Sequence, residues 1–259
     1  MRTWIVVARK ELHDHLRDIR SLGSTALYAL MGPAVVGAVS LSPAASGPRG
    51  SYVLLSMASV FVLVAAFTGG MNVAIDVTAG ERERRSLVPL LLNRASWQEF
   101  LVGKWIAVSI FAIGSLTVTL AGFVLVLARD APESLAATAP QLFAWLSLGL
   151  IPLALMGAAL QLLVATRCRS TKEAQSWLML AVFVPMVAGM GIVFFPGWVD
   201  RWWTIAPIVG QQVMIAGSLT GDGVSLLEAL TLAVTTAVCA IALLLAGSAG
   251  LNQDDVLAD

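Results

Sequence analysis

Six apolar stretches, each nearly free of charge, constrain this chain more than any other feature: roughly Leu22–Leu41, Val53–Ile75, Val102–Ala128, Leu142–Thr166, Trp177–Phe195 and Leu226–Gly250. About 20 apolar residues coiled as a helix match the hydrocarbon thickness of a bilayer. Inside lipid, only a helix satisfies all the backbone polar groups of a single segment. The pattern therefore predicts an all-α integral membrane fold of six transmembrane helices. Composition agrees, since 58% of the 259 residues are hydrophobic, 12% are charged and the mean hydropathy is +0.84. A water-soluble domain of this length has no use for so much apolar surface.

The 16 Lys and Arg balance the 16 Asp and Glu, so the information lies in placement. Twelve basic residues lie before the first stretch, between the second and third, or between the fourth and fifth, and Lys104 lies at the near end of the third; only Arg49, Arg129 and Arg201 lie on the other side. Positive charge is retained on the cytoplasmic side, which with an even number of spans predicts a multi-pass protein with both termini in the cytoplasm. Met1–Arg20 is too charged for a cleaved leader, so the chain is expected to begin at Met1. With 100° between residues, Ile5, Ala8, Leu12, Leu16 and Ile19 share one face of a helix and Arg9, Lys10, His13, Arg17 and Arg20 another. That predicts an amphipathic helix lying on the inner leaflet, its basic flank near anionic lipid. On the outer side, Trp198, Trp202 and Trp203 suit the headgroup level, and a short re-entrant or interfacial helix is expected at Pro207–Leu219, ending at Gly221-Asp222-Gly223.

Several chemistries are excluded. His13 and His15 are the only histidines and precede the first span, so no span carries a serine–histidine or histidine–metal protease site. Cys168 and Cys239 have neither metal-ligand nor disulfide spacing, and the methionines of the fifth span read as packing residues, so no metal site is assigned. A basic stripe interleaved with aromatics is missing, which argues against nucleic acid. No P-loop occurs, so ATP and magnesium, if they power this protein, belong to another subunit, and the chain itself is expected to be neither an enzyme nor a cofactor carrier.

Polar residues in the spans are the local clue to a pathway. Thr68, Asn72 and Asp76 recur every fourth residue in the second span, and Glu228 opens a similar stripe with Thr231 and Thr235 in the sixth. Asp76 could attract a cation or simply pair with Arg82 or Arg84; the hydroxyls could line a path or bond to their own helix.

The densest motif follows the second span: Gly80-Glu81-Arg82-Glu83-Arg84, then Leu87, Leu90-Leu91-Leu92, Ser96-Trp97-Gln98-Glu99 and Gly103-Lys104. Together with Ala8-Arg9-Lys10-Glu11-Leu12, Arg17-Asp18-Arg20 and Pro207 with Gln211-Gln212, it resembles the signature of type 2 ABC exporter permeases, and among them most resembles the sodium-efflux (NatB-type) permeases. The resemblance implies a single transmembrane domain over 1–259 that works as a dimer, with a second copy of itself or as a pseudo-dimer with a paralogue, each subunit contacting a cytoplasmic ABC ATPase subunit. It implies a coupling region at 77–100, with Gly80, Glu81, Arg82, Glu83, Arg84, Leu87, Leu90 and Leu91 facing the ATPase. It also implies an elbow helix at 1–20 carrying Arg9, Lys10, Glu11, Arg17 and Asp18. Cargo is expected to be sodium or another cation; drug or lipid-like substrates, or an anchoring role without transport, are the alternatives.

Overall fold

The computed structural model describes residues 3–42, 48–84, 97–130, 133–195, 201–220 and 225–249. Among these no strand occurs, and five helices are long and apolar enough to cross a membrane. In chain order the elements are α1 (Thr3–Arg17), α2 (Ile19–Ser40), α3 (Pro48–Thr68), α4 (Met71–Ile75), a π-helical turn (Asp76–Gly80), α5 (Glu81–Glu83), α6 (Trp97–Asp130), α7 (Glu133–Ala165), α8 (Thr171–Phe194), a 3₁₀ turn (Arg201–Ile205), α9 (Val209–Thr220) and α10 (Leu226–Ala249).

α3, α6 and the Gly149–Ala165 part of α7 are the inner helices. Over half of the apolar window that begins in α3 is buried, 56%, against 17% in α8 and 22% in α2 and α10. The core is built by Val62, Leu63, Ala66 and Phe67 of α3, Leu116 and Leu120 of α6, Leu150 and Leu153 of α7, and Met214 and Ile215 of α9. The outward face of α8 presents Leu180, Phe183, Val184, Val187 and Phe194, a surface that water does not tolerate and lipid does.

The second expected span, Val53–Ile75, is interrupted at Gly69–Gly70. A Cβ on Gly69 would meet the Ser115 side chain and one on Gly70 would lie 2.8 Å from Val108, so the glycines let the chain press against α6. Carbonyls at the interruption find side-chain donors: Gln161 donates to Phe67 O, and Thr25 Oγ1 donates to Gly69 O at 3.3 Å. Breaks at membrane depth survive only where such partners exist.

The first helix ends at Arg17 rather than Arg20, because Asp18 is extended and caps α2, accepting from Arg20 N and Ser21 N at 3.1 Å each. The side of α1 that meets α6 is mixed, with Val7 and Leu12 beside the buried Glu11 and His15, while Ile5 and Leu16 remain exposed. α9 begins two residues after the expected Pro207 and packs among α3, α7, α8 and α10. Its Gln211 and Gln212 are fully buried. Gln211 accepts from Ile208 N at 2.6 Å and donates to Thr236 Oγ1 at 2.8 Å, while Gln212 donates to Ser59 Oγ at 2.7 Å. These amides fix α9 to α10 and α3.

Candidate functional site

Polar groups of α1, the π-helical turn, α5 and the start of α6 converge at one end of the bundle. The centre is Lys104, 1% exposed, which pairs with Glu81 and donates to Val77 O. A π-helical turn leaves carbonyls out of the regular ladder, and the ammonium satisfies one of them. The Phe100 ring lies 4.4 Å from the same ammonium, within cation–π range. Its neighbour Gly103 lets α1 approach α6 closely: a Cβ there would lie 2.8 Å from both Trp4 O and Val7 Cβ.

Each residue of Glu81-Arg82-Glu83-Arg84 has its own anchor. Glu81 pairs with Lys104 and lies 3.8 Å from Lys10. Arg82 donates to Cys168 O at 3.2 Å. Glu83 accepts from Thr171 N at 3.0 Å and Thr171 Oγ1 at 2.8 Å, at the N-terminus of α8. Arg84 pairs with Asp76 at 2.7 Å. The segment therefore ties α6, the α7–α8 turn, α8 and the π-helical turn together. Gly80 leads into it with its would-be Cβ 2.9 Å from Asp76 Oδ1. Leu87, Leu90 and Leu91 lie outside the described residues, as do Arg85, Leu92 and the turn Gly221-Asp222-Gly223.

Beside this segment opens a cavity of about 690 Å³, walled by Glu11, Asp14 and His15 of α1, Asp18, Ser21 and Ser24 at the α2 corner, and Asn72, Asp76 and Glu81 of the interrupted span, with Lys10, Arg20 and Arg84 as its cations. Burial alone would lower the Lys10 ammonium, but Glu11, Glu81 and Asp14 outweigh it and hold it above its ordinary value. The Ser21 hydroxyl, followed by the Arg20 amide, keeps the Asp18 carboxyl below its ordinary range. Burial pushes the Cys168 thiol up, which leaves it protonated and unreactive.

The structure thus brings together Lys10, Glu11, Asp18, Asn72, Asp76 and Glu81. Arg9 is exposed on the opposite side of α1, as is Arg17 at its end. Thr68 lies beyond the glycine break, bonded to Val64 O at 3.1 Å, and does not border the cavity. Glu228 is remote, at the N-terminus of α10, where its carboxylate accepts from Ser225 N at 3.1 Å and Ser225 Oγ at 2.7 Å, and Ser225 Oγ accepts from Glu228 N in return, a capping box. Thr231 donates to Glu228 O and Thr235 to Leu232 O and Ile205 O. Sequence reasoning missed Lys104 as the partner of Glu81, although a lysine inside an apolar helix is itself a signal. It also missed His15 and Thr171, which carry none.

A multi-pass helical bundle with an interrupted inner helix and a walled polar cavity at one end has the build of a membrane permease. The chain belongs to the ABC-2 family transporter proteins, whose pattern it matches over residues 5–256; it is a permease component of an ABC transporter. It is 36% identical over 140 residues to the ABC transporter permease protein NatB of Bacillus subtilis (strain 168), a match covering 51% of this chain and 36% of that protein. The matched region thus spans about a third of the relative's length.

Proposed function

We propose that this chain is the membrane-spanning subunit of an ATP-driven exporter, acting as a dimer of six-span copies in the bacterial inner membrane with both termini in the cytoplasm. The span that completes the six in this reading, fourth in chain order, is α7, whose apolar part includes Gly149–Ala165. Each copy meets a cytoplasmic ATPase subunit through the coupling region at residues 77–100, with α1 as the elbow beside it. The observation that carries the reading is the fourfold anchoring of Glu81-Arg82-Glu83-Arg84. A push on that segment is passed at once to α6, to the interrupted span through Asp76, and to α8 through Thr171, as a coupling element requires. The cargo is a small cation such as sodium: five carboxylates against three fixed cations wall the cavity, which favours positive charge.

The test is reconstitution with the ATPase in vesicles and measurement of ATP-dependent sodium efflux. Glu83→Gln, which weakens the hold on Thr171, is expected to lower flux several-fold while ATP hydrolysis continues. Flux per ATP equal to wild type in that variant removes the coupling role, and failure to bind any ATPase subunit removes the exporter reading.

A further inference from the structure

His15 has a geometry that its burial makes informative. The residue is 4% exposed, with its ring edge-on to Phe111 at 6.1 Å. Its Nδ1 is 3.0 Å from Ser21 Oγ, and the Ser21 hydroxyl donates its single proton to Asp18 Oδ2 at 2.8 Å. Because a carboxylate only accepts, the Ser21 oxygen must itself accept from the ring, so Nδ1 carries the proton. In the neutral ring Nε2 is then a bare lone pair, and it faces the wall of the cavity, 3.8 Å from Asp76 Oδ2. Two acceptors confront each other, too far apart for a hydrogen bond.

We propose that His15 Nε2 and Asp76 Oδ2 are ligands of a divalent first-row transition ion of the zinc, cobalt or nickel kind, bound at the seam between α1 and the interrupted span. Two ligands of one tetrahedral ion with bonds of about 2.1 Å lie roughly 3.4 Å apart, so the gap closes on the ion with a small movement. Imidazole is a preferred donor for these ions. The outer partners are those of a ligating pair: the Nδ1 proton is held by the Ser21–Asp18 relay, and Arg84 holds Asp76 by its other oxygen, Oδ1, at 2.7 Å. Among the described residues no third imidazole, thiolate or carboxylate converges with them, so Asn72 or water from the cavity completes the shell and the ion exchanges readily. Of the charged neighbours, Glu11 and Asp14 on α1, Asp18 at the α2 corner and Glu81 on α5 favour the ion, against Lys10, Arg20 and Arg84. The inference goes beyond the exporter reading, since binding needs neither ATPase nor transport.

The experiment titrates the purified full chain, free of any polyhistidine tag, with Zn²⁺ or Co²⁺ alone by calorimetry. One ion per chain is expected, with affinity reduced at least tenfold by His15→Gln or Asp76→Asn and unchanged by His13→Gln. Ser21→Ala keeps both ligands and removes only the relay; it is expected to weaken binding about 10- to 100-fold. Nitrogen NMR of the ion-free wild type gives a readout independent of any variant, with the neutral ring of His15 expected protonated at Nδ1. A neutral ring protonated at Nε2, an absence of saturable binding, or binding lost on removal of His13 rather than His15 overturns the proposal.

Discussion

Lys104 and Glu81 form a buried ion pair that joins the first turns of α6 to the end of the interrupted span, with the Val77 carbonyl as a third member. Both residues belong to one motif of the sequence, near its two ends, and in the fold they complete each other. Removing one partner leaves an uncompensated charge, which costs about 3–5 kcal/mol. Lys104→Met is therefore expected to lower the thermal midpoint of the purified protein sharply. Pairing it with Glu81→Leu is expected to recover part of the loss, which a double-mutant cycle measures.

Gly103 is the contact point for α1. Gly103→Ala places a methyl 2.8 Å from Trp4 O and from Val7 Cβ, a clash against backbone that α6 cannot relieve alone. The expected result is displacement of α1 at a cost of about 1–3 kcal/mol, seen as faster hydrogen exchange and easier proteolysis of residues 3–17 than of α2.

Gln211 holds the turn into α9, where Ile208 has a φ of 75°. Gln211→Leu removes the acceptor of the Ile208 N–H and the donor to Thr236. Leaving that half-buried amide unpaired costs up to about 1–3 kcal/mol. Hydrogen exchange at Ile208–Gln212 is expected to rise before that of α10.

The cap on α2 depends on pH. Asp18 has its folded-state carboxyl below the ordinary value of 3.8, so its contribution is complete above that value and is lost as the pH falls through the lower, folded one. Amide exchange at Arg20 and Ser21, corrected for its intrinsic pH dependence, is expected to lose protection only below about pH 4. Asp18→Ala is expected to remove that protection at every pH.

Hydropathy made the spans legible because burial in lipid is decided residue by residue. The second span and α9 were less so. The Gly69–Gly70 interruption depends on Gln161 and Thr25 arriving from other helices, and nothing within Val53–Ile75 announces them. The four-residue period of Thr68, Asn72 and Asp76 presupposes one continuous helix, so the break separates Thr68 from the cavity that the other two border.

The sequence alone determined that the chain is a helical membrane protein, where its apolar segments run, and which charged motifs mark it as a transporter subunit, because hydrophobicity, helical period and motif are all local properties. Only the tertiary structure decided what those motifs hold: Lys104 against Glu81, Glu83 on the α8 terminus, Arg84 and His15 on either side of Asp76. A buried charge is stable only beside a partner, and which partner is within reach is set by how distant helices pack.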